Sequence, residues 1–179
     1  MKDHLVSQLQ TLHADAHGWA LHCCDGDPGR AEDVLQGAYL KVLQGRAVPA
    51  GTGELKTWWF GVIRYTAREE SRRQRLRDSL PARLWRRLVP ALTDTIDPRP
   101  HPAARLDLDE QARQLRAALA RLPARQAEVL HLVFYQDLSL TEAAAIMGVS
   151  AGSARQHYDR GKARLREWLL PTLTPITHE

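Results

Sequence analysis

The chain has 179 residues, of which 44% are hydrophobic and 26% are charged, and its formal net charge is +4. This length suits one domain or two small helical domains, and the basic balance favours a polyanionic partner. We find no transmembrane-length apolar stretch and no signal-peptide core, so we expect a cytoplasmic protein without membrane insertion. The only two cysteines, Cys23 and Cys24, are adjacent, so we expect them to be reduced thiols.

Apolar residues at helical spacing predict three helices in the N-terminal part. The first runs from about Leu5 to Cys24, the second follows the turn at 25–29, and the third extends from Leu55 to about Arg77. A Gly- and Pro-containing loop, Gln44 to Glu54, separates the second helix from the third. The third helix pairs tryptophans with an outward basic stripe that comprises Arg64, Arg68, Ser71, Arg72 and Arg75. Because adjacent residues cannot share one helix face, at least one of Trp58 and Trp59 is predicted to lie in the core.

Prolines at 81, 90, 98, 100 and 102 interrupt the middle of the chain and predict a stiff, extended linker over residues 80–105. Helices resume near Leu106, and Pro123 is predicted in the first turn of the next helix. The prediction is therefore an all-α fold in which an N-terminal helical bundle (1–79) and a C-terminal four-helix domain (106–170) flank this linker. Residues 171–179 form a tail.

A helix-turn-helix pattern closes the C-terminal domain. Gly148 is placed to end a helix with a left-handed C-cap, Val149 lies under the turn, and Ser150 suits the N-cap of a long basic helix. That helix has a predicted buried stripe: Ala154, Tyr158, Gly161, Leu165 and Trp168. The opposite face presents side chains suited to base edges, namely Ser153, Gln156, His157 and Arg160, flanked by Arg155, Lys162 and Arg164 as phosphate contacts. An amphipathic helical hairpin with a solvated basic face is the alternative interpretation.

Three stretches together resemble the sigma-70 family of bacterial RNA polymerase sigma factors, in particular its small extracytoplasmic-function (ECF) class. They are GDPGRAEDVLQGAYLKVL (26–43), LKTWWFGVIRYTAREESRRQR (55–75) and the region from Leu119 to Leu165 that includes the helix-turn-helix. They occur in the family's order and cover nearly the whole chain apart from the linker and tail.

This resemblance implies a non-enzymatic protein without a cofactor that binds core RNA polymerase, recognises −10 and −35 promoter elements, and helps to open the duplex. It implies that Asp33, Gln36 and Leu40 dock on the clamp of the largest polymerase subunit. The −10 contacts that it implies are Lys56, Trp58, Trp59, Phe60, Arg64, Tyr65, Arg68 and Arg72. It implies that the base-facing and phosphate-facing residues of the helix-turn-helix bind the −35 element. It also implies an anti-sigma factor as the regulatory partner.

Several positions depart from the family pattern. Gly37 stands where a glutamate is usual in the polymerase-docking helix, and Tyr65 and Glu69 replace the usual asparagine and aspartate in the −10 helix. His157 and Tyr158 stand where arginine and leucine are common in the recognition helix. We therefore expect altered base preferences at both promoter elements.

Two other functions are compatible with parts of the sequence. A stand-alone helix-turn-helix regulator would need the C-terminal module but not the Trp-rich basic helix. A metal-binding sensor could use the histidines and cysteines near the end of the first helix, His13, His17, His22, Cys23 and Cys24. Because Cys23 and Cys24 point in different directions on a helix and no second cluster completes the coordination shell, no metal site is predicted.

Overall fold

The computed structural model describes residues 2–49, 53–79 and 108–169, and side chains over slightly narrower ranges. These residues form eight α-helices and no strand. The helices are α1 (Lys2–Thr11), α2 (His13–Cys23), α3 (Pro28–Leu43), α4 (Leu55–Ser79), α5 (Leu108–Ala120), α6 (Ala124–Phe134), α7 (Leu140–Met147) and α8 (Ala151–Leu169). The predicted all-α class is confirmed for these ranges, whereas the predicted linker (80–105) and tail (171–179) lie outside them.

The prediction of a single first helix is wrong, because this segment forms two helices, α1 and α2, that are separated at Leu12. The Thr11 hydroxyl donates to the carbonyl of Gln8 at 2.7 Å, and the Leu12 amide donates to Leu9 at 3.2 Å instead of continuing the α-helical pattern. The following turn and α3 agree with the sequence. Asp27 caps α3 by accepting from the Arg30 amide at 3.1 Å, and Pro28 occupies its first turn.

Two helix groups make up the fold, and they pack against each other. In the N-terminal group, α1 to α4 bury Trp19, Trp59, Phe60 and Ile63. The C-terminal group, α5 to α8, surrounds a second set of fully or nearly fully buried side chains: Val129, Leu130, Leu132, Ile146, Met147 and Ala154. Helix α4 contacts α7, and α2 contacts α6, so both sets, apart from Ala154, belong to one continuous hydrophobic cluster.

The contacts between the two groups combine rings and hydrogen bonds. The imidazole rings of His22 and His131 stack with centroids 4.4 Å apart, and Trp19 lies beside both. Lys56 Nζ donates to the Gln136 carbonyl at 2.9 Å as well as to Asp15 Oδ2 at 2.8 Å. The predicted bundles therefore share an interface in this structure rather than being connected by the chain alone.

Candidate nucleic-acid interface

The helix-turn-helix is built by local caps that the sequence contains. Ser139 and Glu142 form a capping box at the start of α7, and Gly148 ends this helix with φ of 63° and ψ of 43°. Ser150 Oγ then accepts from the Ser153 amide at 3.1 Å, which begins α8. These caps fix the angle at which α8 leaves the turn, and they confirm the predicted roles of Gly148 and Ser150.

The inner face of α8 lies directly against α6. Ala154 and Gly161 are buried, and Tyr158, Leu165 and Trp168 are half-buried, as the periodicity predicted. A Cβ atom added to Gly161 would lie 2.9 Å from Leu130 Cδ1 and 3.3 Å from Gln126 Cβ. Gly161 therefore permits the close approach of the two helices, which orients the opposite face of α8 toward solvent.

The outer face of α8 carries the predicted −35 contacts. Arg155, Gln156, Arg160, Lys162 and Arg164 are exposed, while Ser153 and His157 are half-buried. Three of these side chains have local partners: Ser153 Oγ lies 2.9 Å from Ser150 Oγ, Lys162 Nζ lies 5.0 Å from the centroid of the Tyr158 ring, and Arg164 donates to Gln126 Oε1 at 3.3 Å. The structure thus gathers a polar and basic surface along one helix.

Helix α4 places its predicted −10 residues in several different environments. Trp59 and Phe60 are completely buried, and Trp19 Nε1 donates to the Phe60 carbonyl at 3.0 Å. Both rings fill the N-terminal core, so neither is accessible to DNA in this conformation, and their contact with the −10 element stays a prediction. A core role for one of the paired tryptophans is confirmed. Trp58 is half-buried beside the 66% exposed Tyr65, and both border a small cavity of about 380 Å³.

The C-terminal group covers part of the same α4 surface. The Arg64 guanidinium forms an ion pair with Glu128 of α6, and their side chains are only 8% and 13% exposed. Its predicted outward orientation is therefore wrong here, because Glu128 neutralises it at the interface. Thr57 Oγ1 donates to Glu142 Oε1 at 3.4 Å, and Ala145 of α7 borders the cavity beside Trp58. Only Arg68 and Arg72 of the predicted −10 arginines are exposed.

The predicted polymerase-docking residues lie together on the exposed side of α3. Asp33 and Gln36 are exposed, and Leu40 is 48% exposed although it is apolar. Gly37 lies against α4, where an added Cβ would be 3.3 Å from Thr66 Cγ2. A side chain at this position would therefore crowd Thr66 where α3 approaches α4 closely.

Sequence reasoning missed Glu128, Gln136 and the stacked His22 and His131. Their contacts join residues far apart in the chain, and no local pattern signals them. Burial lowers the pKa of His22, and burial followed by the charge of His22 lowers the pKa of His131 to about 3. Both rings are therefore neutral at ordinary pH while the two helix groups are in contact, which we call the closed arrangement.

The surroundings of Cys23 and Cys24 disfavour their thiolate forms. Burial is the largest cause of a raised pKa at both Cys23 and Cys24. Within residues 2–49, 53–79 and 108–169, no three His, Cys, Asp or Glu side chains are grouped so as to hold a metal ion. The same ranges contain no helix that is long and apolar enough to cross a membrane.

Comparison with known proteins agrees with this architecture. Residues 118–167 match the family "Sigma-70, region 4". The chain is 32% identical to the ECF RNA polymerase sigma factor SigF of Caulobacter vibrioides, over 89% of this chain and 82% of SigF. It is 31% identical to the RNA polymerase sigma factor CarQ of Myxococcus xanthus, over 78% of this chain and 74% of CarQ. Its fold is similar to that of the sigma factor RpoE of Bartonella quintana, solved in complex with the anti-sigma factor NepR, with a TM-score of 0.62, 24% identity and coverage of 95% and 98% of the two chains.

Proposed function

The chain belongs to the ECF class of the sigma-70 family, whose members direct RNA polymerase to promoters for transcription initiation, and we propose that α8 reads the −35 element while α4 engages the −10 element. The observation that carries the −35 assignment is the exposed polar face of α8, which follows a capped turn. Gln156 and Arg160 project from this face, and both side chains can pair with base edges in a major groove.

On the same proposal, the exposed part of α3 docks on the clamp of the polymerase's largest subunit through Asp33, Gln36 and Leu40. An apolar side chain that is 48% exposed between polar neighbours is typical of a surface that a partner covers. The chain would act in the cytoplasm, where the polymerase is, and without catalytic chemistry of its own.

We further propose that the two helix groups separate when the protein engages a promoter. The −10 and −35 elements are about 25 base pairs apart, or about 85 Å along B-form DNA, whereas a compact chain of 179 residues has a radius of gyration of about 16 Å. The 28 residues between α4 and α5 can span at most about 95 Å, which is sufficient. Separation would also free Arg64 from Glu128 and Lys56 from the Gln136 carbonyl, on the side of α4 that faces the −10 element in this proposal.

An anti-sigma factor is the proposed regulator. The structurally similar sigma factor of Bartonella quintana was solved with the anti-sigma factor NepR. A partner of this class that favours the closed arrangement would inhibit initiation, because the C-terminal group covers part of α4 there.

Reconstituted transcription tests the functional proposal. Core polymerase plus this chain should produce run-off transcripts from genomic promoter fragments without another sigma factor. A stand-alone regulator would bind free DNA and produce none. Gln156→Ala should cost about 1–3 kcal/mol of −35 binding and relax the preference at one base, whereas Glu167→Ala, an exposed change elsewhere on α8, should not alter that preference.

A further inference from the structure

A large cleft separates the two helix groups beside their interface. Its volume is about 1210 Å³, and residues of α2, α4, α5 and α6 line it. The lining contains six arginines, four from α4 and two from the C-terminal group: Arg64, Arg68, Arg72, Arg75, Arg116 and Arg125. The cleft exists only while the two groups are in contact, because its walls come from both.

The cleft is lined by six arginines but by only two acidic residues, Asp25 and Glu128. Glu128 already binds two of them, Arg64 and Arg125, the latter through an Nη1–Oε2 distance of 3.2 Å. Asp25 is at the mouth with a side chain that is 94% exposed. Among the residues that the structure describes, Arg68 and Arg75 have no hydrogen-bond or ion-pair partner. The cleft therefore has a surplus of positive charge.

The arginines of the two groups come close together at Arg68. Partial desolvation lowers the pKa of Arg68 and the nearby charges of Arg64 and Arg125 lower it further, although the carboxylate of Glu128 opposes them. Closing the two groups thus brings guanidinium groups from α4 and α6 into one space, where Glu128 supplies a single negative charge among them.

We propose that this cleft binds a compact polyphosphate, such as the phosphate chain of a nucleoside di- or triphosphate, and that the ligand bridges α4 and α6. Arginine is suited to phosphate because its planar guanidinium donates two parallel hydrogen bonds. Pockets for compact ligands measure about 300–1,000 Å³, so the cleft is large enough for such a molecule. A ligand that binds only the closed arrangement stabilises it by mass action.

Isothermal titration calorimetry with inorganic tripolyphosphate, at constant ionic strength, tests the proposal on the full chain without any transcription assay. We expect saturable binding of one tripolyphosphate per chain and at least tenfold weaker binding to Arg68→Gln and to Arg125→Gln. Arg73→Gln is the matched control, because it removes the same charge from α4 at a residue that does not line the cleft and that pairs with Glu69. Circular dichroism melting would verify that each variant is folded. If Arg125→Gln failed to fold, Arg125→Lys would replace it, because lysine retains the charge but not the two parallel hydrogen bonds of the guanidinium.

Three results would overturn the proposal. Equal weakening by Arg68→Gln and Arg73→Gln would mean that overall charge alone attracts the anion. Loss of binding in Arg68→Gln with full binding in both Arg125 variants would place the site on α4 rather than between the two groups. If single-stranded oligothymidylate bound more tightly than tripolyphosphate and with the same dependence on Arg125, the phosphates would be those of nucleic acid rather than of a compact ligand.

Discussion

Replacing Glu128 with glutamine should open the interface between the two helix groups. Arg64 is 8% exposed in its ion pair with Glu128, so removal of the carboxylate charge leaves a buried guanidinium without its counter-ion. Breaking a buried pair in this way costs about 3–5 kcal/mol. Arg64 can return to water if the two groups separate, so we expect the cost to appear as a shift toward an open form rather than as global unfolding.

That shift is large enough to measure. At 1.4 kcal/mol per tenfold change, 3–5 kcal/mol corresponds to about 100- to 4,000-fold in the ratio of open to closed protein. Small-angle X-ray scattering should show a larger radius of gyration for Glu128→Gln than for the unaltered chain. Glu167→Gln, which makes the same charge change at an exposed position on α8, should leave the scattering curve unchanged. Identical curves for all three proteins would refute the reasoning that this pair holds the groups together.

Two further predictions concern packing and pH. Gly161→Ala should lower the free energy of unfolding by about 1–3 kcal/mol, because the added Cβ would lie 2.9 Å from Leu130 Cδ1. Thermal melting would measure this loss. The control Gly152→Ala should not destabilise the protein, because its Cβ would have only Ser150 Oγ nearby, at 3.9 Å. The pKa of His131 is lowered from 6.5 to about 3, so the unfolded chain takes up a proton that the folded chain does not as the pH falls below about 6.5. In urea unfolding, the contribution of His131 to the free energy of unfolding should be about 2 kcal/mol smaller at pH 5.0 than at pH 7.5. If His131→Phe lost the same amount between these pH values, the loss would not come from the lowered pKa of His131.

The helices and their caps were predictable from the sequence because they depend on neighbours within a few residues. Gly148 and Ser150 act through the backbone of the helix turn next to each of them, so their roles could be read without knowing what surrounds them. The two faces of α8 were equally predictable, since apolar residues at helical spacing must turn toward a core. The exception was the break at Leu12, where a single threonine hydroxyl competes for a backbone carbonyl.

The sequence was thus sufficient to predict the helices other than the break at Leu12, their order and the polar face of the recognition helix. Which arginines of the basic stripe are accessible depends instead on how the two helix groups pack. Arg64 pairs with a residue 64 positions later and Lys56 with one 80 positions later, and such contacts leave no periodic trace. The physical reason is that helical periodicity specifies which residues share a face, whereas the partner of that face is chosen by long-range packing and charge neutralisation.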